Sequence, residues 1–203
     1  SPALRTHLAI LRKHGTGTAA GRDSLTDIEA ATIRLQGLLT GLITLARAED
    51  AALSHVKSKV DLRVVARRSA KSYAAVGASA GVEVHLEHDS SPVRVAADPL
   101  LVEELLSNLI DNAIRYNKRG GSVTVSARTG AMGAELSVTD DGPGIPPEDQ
   151  SKVLQRFYRL PRDQTRDGSG LGLSIVQAIA ARLHANLGID SGPGGTGLTV
   201  TIT

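Results

Sequence analysis

Three glycine-bearing segments follow one asparagine-bearing helix, and this order constrains the fold more than any other feature of the chain. Glycine permits positive φ and close approach of the backbone, and the N–H groups at the start of a following helix attract phosphate oxygens. Apolar residues at helical spacing predict such a helix from Leu171 to Leu183. The sequence therefore indicates a phosphate site near Gly170 and Gly172. The segments are Asp140-Asp141-Gly142-Pro143-Gly144, Gly168-Ser169-Gly170-Leu171-Gly172-Leu173 and Gly192-Pro193-Gly194-Gly195-Thr196-Gly197.

Asp140 closes the alternating run from Glu135 to Thr139, which predicts a half-buried strand. A carboxylate at a strand end can accept hydrogen bonds from an exocyclic amine, and the adjoining glycine turn leaves room for a flat base. We therefore expect Asp140 to recognise adenine.

Asn108 and Asn112 lie four residues apart, on one face of a predicted helix. Amide oxygens suit a hard cation that keeps most of its waters. The pattern indicates Mg²⁺ held by Asn112, with ATP as the nucleotide.

Taken together, these segments resemble the catalytic ATP-binding domain of sensor histidine kinases. One such segment alone is a weak signal, whereas the ordered series between Asp61 and Thr203 is specific. The matching segments are Asn108-Leu109-Ile110-Asp111-Asn112-Ala113-Ile114-Arg115-Tyr116, the Asp140 glycine box, Arg156-Phe157-Tyr158-Arg159 and the two later glycine boxes.

The resemblance implies an α+β fold, in which helices cover one face of a mixed sheet to form an α/β sandwich. ATP would lie between the Asn112 helix and a mobile lid from about Tyr158 to Ser169. Tyr116 would lie against the adenine and Arg115 would reach the phosphates, while Asn108 would support the metal site at Asn112. The expected nucleotide-binding residues are Asn108, Asn112, Arg115, Tyr116, Asp140, Gly142, Gly144, Ile145, Gly168, Gly170, Leu171, Gly172, Leu173 and Thr196.

In related ATPases that hydrolyse ATP with water, such as gyrase and the Hsp90 chaperones, a glutamate base stands where Asn108 stands in this chain. An amide cannot take a proton from water, so the pattern favours phosphoryl transfer over hydrolysis. We expect transfer of the γ-phosphoryl group to a histidine, followed by relay to an aspartate of a response regulator. Two alternatives stay open: a nucleotide-binding interaction module without kinase activity, and a hydrolytic ATPase of the gyrase kind.

The first fifty residues predict two helices, Ala3 to His14 and Leu25 to Arg47. The second carries a broad apolar stripe, and two helices alone make a thin core, so we expect a second copy to complete a four-helix bundle. Residues 1–50 are expected to form a truncated dimerisation hairpin, 51–60 a linker and 61–203 the ATP-binding domain. The stripe consists of Ile28, Ala31, Leu35, Leu38, Leu39, Leu42, Ile43 and Leu45.

No phosphoacceptor histidine, and so no catalytic residue, is visible in the chain. The first eight residues echo the acceptor motif of the family, but in that register Pro2 falls where the histidine belongs and His7 where the proline belongs. A second register places residues 4–8 on the helical turns after the motif. We favour this second register, in which the histidine precedes Ser1 and the sequence is truncated, over natural loss of the histidine. His7 is then expected to be a polar position on a bundle helix.

Composition excludes several classes of protein. A net charge of +2 is too small to favour nucleic acid, and the absence of cysteine excludes disulfides. The sequence has no apolar run of about 18 residues and no signal-like start, which predicts neither a membrane span nor an export signal. We expect the chain to be the cytoplasmic part of an inner-membrane sensor. Contact with the membrane is expected only through missing upstream segments.

The remaining pattern predicts a mixed order of helices and strands, with an aliphatic core because the chain has only four aromatic residues. Phe157 is expected to anchor the lid. One or two of the basic residues at 152, 156, 159, 162 and 166 are expected to meet phosphate. The predicted helices are Val60 to Val76 and one from Pro99 with Asp98 as its cap, and the predicted strands are Val82–Glu87, Val93–Ala97, Val123–Arg128, Glu135–Thr139, Leu187–Asp190 and Leu198–Ile202.

Overall fold

The computed structural model describes residues 18–49, 58–87, 91–131, 133–164, 166 and 168–203. The predicted helix Ala3–His14, with His7, lies outside these residues. In chain order the described elements are α1 (Ala19–Glu49), β1 (Ser58–Asp61), α2 (Leu62–Ala80), β2 (Val82–Leu86), β3 (Arg94–Ala97), α3 (Pro99–Arg115), β4 (Gly121–Gly130), β5 (Gly133–Asp140), α4 (Gly172–Leu183), β6 (Leu187–Ser191) and β7 (Leu198–Ile202).

The main sheet has five strands in the order β2-β4-β5-β7-β6. The β2–β4 pair is parallel and the other pairs are antiparallel, so the sheet is mixed, as the resemblance implies. Helices α2 and α3 pack on β4, and α3 also packs on β5 and α4. The α+β class expected from the sequence is therefore confirmed.

Alternation along β5 and β7 sets the inner row of the sheet. Leu136 and Val138 are buried, and Val200 lies opposite Val138 on β7. Because side chains alternate between the two faces of a strand, Asp140 continues this row where β5 ends. A carboxylate is thereby placed at the edge of an apolar core.

Aspartate caps begin two of the helices that cover the sheet. The Asp98 carboxylate accepts a hydrogen bond from the Leu100 N–H at 2.8 Å, with Pro99 in the first turn of α3. The Asp61 carboxylate accepts from the N–H groups of Arg63 and Val93, which ties the start of α2 to the segment before β3. The Asp98 cap falls where the sequence predicts it, whereas the helix predicted from Val60 begins two residues later, after Asp61.

The strand β1 was not predicted. Ser58 and Lys59, assigned to the linker from their sequence, pair with Ala97 and Ala96 of β3 in a separate two-stranded sheet. A four-residue strand offers too little alternation to be recognised, and its pairing depends on a partner more than thirty residues away. The linker assignment of residues 51–60 is therefore wrong for Ser58 to Val60.

Helix α1 packs against α4, and this contact divides its apolar stripe. Leu45 is buried and Leu38 packs against the core. A Cβ placed on Gly41 would lie 3.0 Å from Cδ1 of Leu171, so the two helices approach closely at that turn. The exposed part of the stripe consists of Leu35, Leu39, Leu42 and Ile43. No helix within the described residues has the length and hydropathy that a membrane span needs.

We expect Leu106→Ala to lower the free energy of unfolding by about 3 kcal/mol, because Leu106 is fully buried and the truncation leaves a cavity. Leu100→Ala on the same helix is the matched control. Its side chain is 72% exposed, so the expected change is below about 0.5 kcal/mol. Urea unfolding followed by circular dichroism measures both, and equal losses would contradict the described packing of α3.

Candidate nucleotide site

A cavity of about 1040 Å³ lies between α1, α3, the ends of β5 and β7, and the segment before α4. This volume is at the upper end of the range for small-molecule sites. Among the residues expected to bind nucleotide, those that line the cavity are Asn108, Asn112, Arg115, Tyr116, Asp140, Gly144, Ile145, Gly168, Gly170, Gly172 and Leu173.

Three expected residues do not line the cavity. Gly142 and Leu171 are buried behind it, where the N–H of Gly142 donates to Asp140 Oδ1 at 2.9 Å. Thr196 is exposed, at a turn between β6 and β7. The last glycine box instead acts through its backbone, because a Cβ on Gly197 would lie 1.9 Å from the Asp140 carbonyl oxygen. Gly197 therefore allows β7 to approach Asp140 closely.

One face of α3 supplies the polar wall of the cavity. Asn108 and Asn112 lie on successive turns, and Asn108 Nδ2 donates to the Glu104 carbonyl at 2.8 Å. Arg115 forms an ion pair with Asp111, with Nη2 and Oδ2 2.8 Å apart. The guanidinium expected to reach phosphate is thus held by a carboxylate of the same helix.

Glu104 and Asp111 line the cavity, although the sequence analysis did not single them out. Glu104 lies four residues before Asn108, so the helical spacing that paired the asparagines would also have found this glutamate. Thr44 of α1 donates its hydroxyl to Glu104 Oε1 at 3.1 Å. This bond joins α1 to the polar wall.

Asp140, where β5 ends, lines the cavity with its carboxylate. Burial raises its pKa to about 6, although hydrogen bonds from the N–H groups of Gly142 and Leu198 oppose the rise. Burial also pushes the pKa of Asp141 upward, but hydrogen bonds from Ser122 and Asn117 outweigh it and hold that pKa below its usual value. Of the two adjacent aspartates, Asp140 is the one that faces the cavity.

The glycine box before α4 touches the asparagine wall directly. A Cβ on Gly172 would lie 2.6 Å from Asn112 Nδ2, so any side chain there would displace the amide. The side chain of Leu171, at the start of α4, makes no capping hydrogen bond, and Ser169 Oγ accepts from the Leu171 N–H at 3.3 Å rather than from the N–H groups inside the helix. The first N–H groups of this helix and the positive end of its dipole are therefore available to an anion.

In the lid segment (residues 158–169, of which 158–164, 166, 168 and 169 are described), three arginines donate to main-chain carbonyls. Arg162 donates to the Gly144 carbonyl, and Arg166 donates to the carbonyls of Arg115 at 2.9 Å and Asn117 at 3.4 Å. Arg159 donates to the carbonyls of Asp163 and Arg166. Its Nε atom is buried and has no hydrogen-bond partner in the described part of the chain.

Phe157 does not anchor the lid as expected. Its side chain is 56% exposed and its φ is +64°, an uncommon conformation for a bulky residue. Its N–H donates to the Gly170 carbonyl at 2.8 Å. The backbone of this residue, rather than its ring, joins the lid segment to the glycine box.

These features define an α/β sandwich whose cavity is lined by a buried carboxylate and by the glycine segment that leads into a helix. The pattern of the family described as histidine kinase-, DNA gyrase B- and HSP90-like ATPases matches residues 97–203. This chain belongs to that family, and its curated relatives place it with the catalytic domains of sensor histidine kinases.

Two curated relatives illustrate the likeness. The sensor-like histidine kinase SenX3 of Mycobacterium tuberculosis is 36% identical over 171 residues, which cover 83% of this chain and 41% of the relative. The sensor protein kinase PmrB of Pseudomonas aeruginosa is 31% identical over 205 residues, which cover 98% of this chain and 43% of the relative. The chain thus spans about two-fifths of the length of these relatives.

Solved structures agree with this assignment. The Acinetobacter baumannii histidine kinase AdeS has a TM-score of 0.73 at 26% identity, covering 100% of this chain and 93% of its own. The mycobacterial sensor histidine kinase MprB has a TM-score of 0.61 at 32% identity, covering 72% of this chain and 95% of its own. The resemblance seen in the sequence is confirmed.

We expect the ligand-free Asp140→Asn variant to become more stable relative to the wild type as the pH rises from 4 to 8. The pKa of Asp140 is raised from 3.8 to about 6, so the fold disfavours the ionised form and loses stability as the pH rises through this window. Asparagine carries no charge and keeps an oxygen for the Gly142 N–H.

Thermal unfolding of both proteins from pH 4 to pH 8 measures the effect. The difference in Tm should move in favour of the variant as the pH rises, and Asp190→Asn, at an exposed position of β6, should show no such trend. A Tm difference that does not depend on pH would contradict the raised pKa.

Proposed function

We propose that this chain is the ATP-binding catalytic part of a sensor histidine kinase, which binds Mg-ATP and transfers the γ-phosphoryl group to a histidine. The observation that carries the proposal is that Asp140 and the glycines before α4 line one cavity, with Asn112 against Gly172. The adenine amine would donate to Asp140, and the phosphates would meet the N–H groups at the start of α4.

The polarity of the cavity fits ATP. A desolvated carboxylate at one end accepts hydrogen bonds, which suits the amine of a base. The other end offers main-chain N–H groups, a helix dipole and the unpartnered Nε of Arg159, which suit phosphate. Tyr116 connects the two ends, because its carbonyl lies beside Gly142 and its hydroxyl beside Gly168.

Asn112 would hold Mg²⁺ by its amide oxygen, with Asn108 beside it on the next turn. Within the described residues, no group of three or more His, Cys, Asp or Glu side chains could hold a metal ion. A site with one protein amide is typical of Mg²⁺ bound mainly through water and substrate phosphates. The ion would neutralise charge on the phosphates during transfer.

Phosphoryl transfer is favoured over hydrolysis because position 108 carries the amide of an asparagine and not a carboxylate. The side-chain amide of Asn108 donates a hydrogen bond to the Glu104 carbonyl. Of the neighbouring carboxylates, Glu104 accepts a hydrogen bond from Thr44 and Asp111 is paired with Arg115. Each of these two carboxylates therefore already has a partner within the protein, and neither stands at position 108.

The partners follow from the same proposal. The exposed apolar residues of α1 would pack against a second copy of the chain in a helical bundle, with Leu35 and Leu39 about 60% exposed in the single chain. The phosphorylated histidine, upstream of Ser1, would pass its phosphoryl group to an aspartate of a response regulator.

We expect Asn112→Ala and Asp140→Asn each to weaken ATP binding at least tenfold, because each leaves a polar group of Mg-ATP without its partner. Titration calorimetry with Mg-ATP measures the affinity. Asn186→Ala, at an exposed position before β6, is the matched control and should bind as the wild type does. Unchanged affinity in both site variants would refute the site.

The affinity of the wild-type protein for ATP should fall as the pH drops through about 6, since protonation of Asp140 removes the negative charge that strengthens its hydrogen bond from the adenine amine. Above pH 7 the carboxylate is ionised and the affinity should level off. The same calorimetry at pH 5, 6, 7 and 8 tests this, and a constant affinity across the series would show that Asp140 does not contact the base.

Kinase activity is tested with a chain extended upstream of Ser1 through the expected histidine and incubated with γ-labelled ATP. We expect acid-labile label on the protein, because a phosphohistidine hydrolyses in acid. Binding without label would instead support the interaction module, and sustained release of free phosphate without label would support the hydrolytic ATPase.

A further inference from the structure

Asp163 is a buried acidic residue at the centre of the lid segment. The residue is 6% exposed, and its carboxylate lies 3.6 Å from Arg162 Nε and 3.7 Å from Arg166 Nε. Its carbonyl accepts a hydrogen bond from Arg159. Three arginines of the segment are therefore arranged around one aspartate.

Two of these arginines donate to main-chain carbonyls of two different segments outside the lid segment. Arg162 donates to the Gly144 carbonyl, on the loop that follows Asp140. Arg166 donates to the carbonyls of Arg115 and Asn117, at the carboxyl end of α3. A cation at that end of a helix also interacts favourably with the helix dipole.

The carboxylate accounts for the position of both guanidinium groups. A buried carboxylate is costly unless it is paired, and its two oxygens face the two arginines separately. The arginine side chains are about 40% exposed, so without the aspartate each would gain considerable rotational freedom. Their hydrogen bonds to carbonyls would then have to offset that entropy cost alone.

We propose that Asp163 is a positioning residue that latches the lid segment over the nucleotide cavity by orienting Arg162 toward the loop after Asp140 and Arg166 toward the carboxyl end of α3. The proposal rests on the nucleotide site proposed above. The latch retains bound nucleotide, and its opening is a step in nucleotide release.

The test compares Asp163→Asn with wild type in two measurements. The first is the rate at which excess ATP displaces a fluorescent ATP analogue in a stopped-flow instrument. We expect release about fivefold to tenfold faster in the variant, in line with the loss of two partly exposed charge contacts. The second is hydrogen exchange of the peptide spanning residues 158–171 in the ligand-free protein, which should be faster, while exchange in β4 and β5 stays unchanged.

Three further variants separate the latch from general effects: Arg166→Gln, the double variant Asp163→Asn/Arg166→Gln, and Asp190→Asn. Arg166→Gln should reproduce the faster release, and the double variant should be little worse than either single one, because both residues act through one latch. Asp190→Asn removes an exposed aspartate of β6 and should leave both measurements unchanged.

Asp163 also lines the cavity, so a purely electrostatic role makes the opposite prediction. Removing a negative charge near the phosphates would slow release, and that result, or unchanged release and exchange, would overturn the latch. Failure of the wild-type protein to bind the analogue would refute the proposed function. The exchange measurement on the ligand-free protein would then still decide the latch.

Discussion

Helix α3 has to serve the core and the cavity at once, and the rest of the site depends on this constraint. Leu106 and Ile110 are fully buried against the sheet, while Asn108 and Asn112 face the cavity. With 3.6 residues per turn, moving the apolar stripe by one residue would turn the asparagines about 100° away. The packing of aliphatic side chains therefore fixes where the amides stand relative to α4.

The burial of Asp140 in the site lowers the stability of the fold. The inner row of β5 carries an ionisable group into a desolvated position, and its raised pKa records that cost. Hydrogen bonds from Gly142 and Leu198 offset part of it. A carboxylate partly stripped of water is also better prepared to meet an amine, since less solvent has to be displaced on binding.

The charges of the cavity are already paired within the protein. Arg115 is held by Asp111, and the arginines of the lid segment donate to carbonyls. A triphosphate would compete with these contacts, so binding would be an exchange of partners. The exception among the described residues is Nε of Arg159, which is buried without a partner.

Chain-local patterns were enough to predict most of the elements and the residues of the cavity. The Asp98 cap, the start of α3 at Pro99 and the alternation that ends at Asp140 depend on neighbours within a few residues, and so they are visible in the sequence. The ordered glycine boxes identified the family for the same reason. Whether each residue of the expected set binds nucleotide stays a prediction.

Only the tertiary structure decided the contacts between segments that are far apart in the chain. The pairing of β1 with β3, the packing of α1 on α4, the bond between Thr44 and Glu104, and the exposure of Thr196 all depend on such contacts. Periodicity shows which face of an element is apolar, but not which distant element covers it. The sequence by itself therefore determined most of the elements, the family, and the asparagines and the aspartate Asp140 of the site. Long-range packing decided which of those residues share the cavity and how its charges are paired.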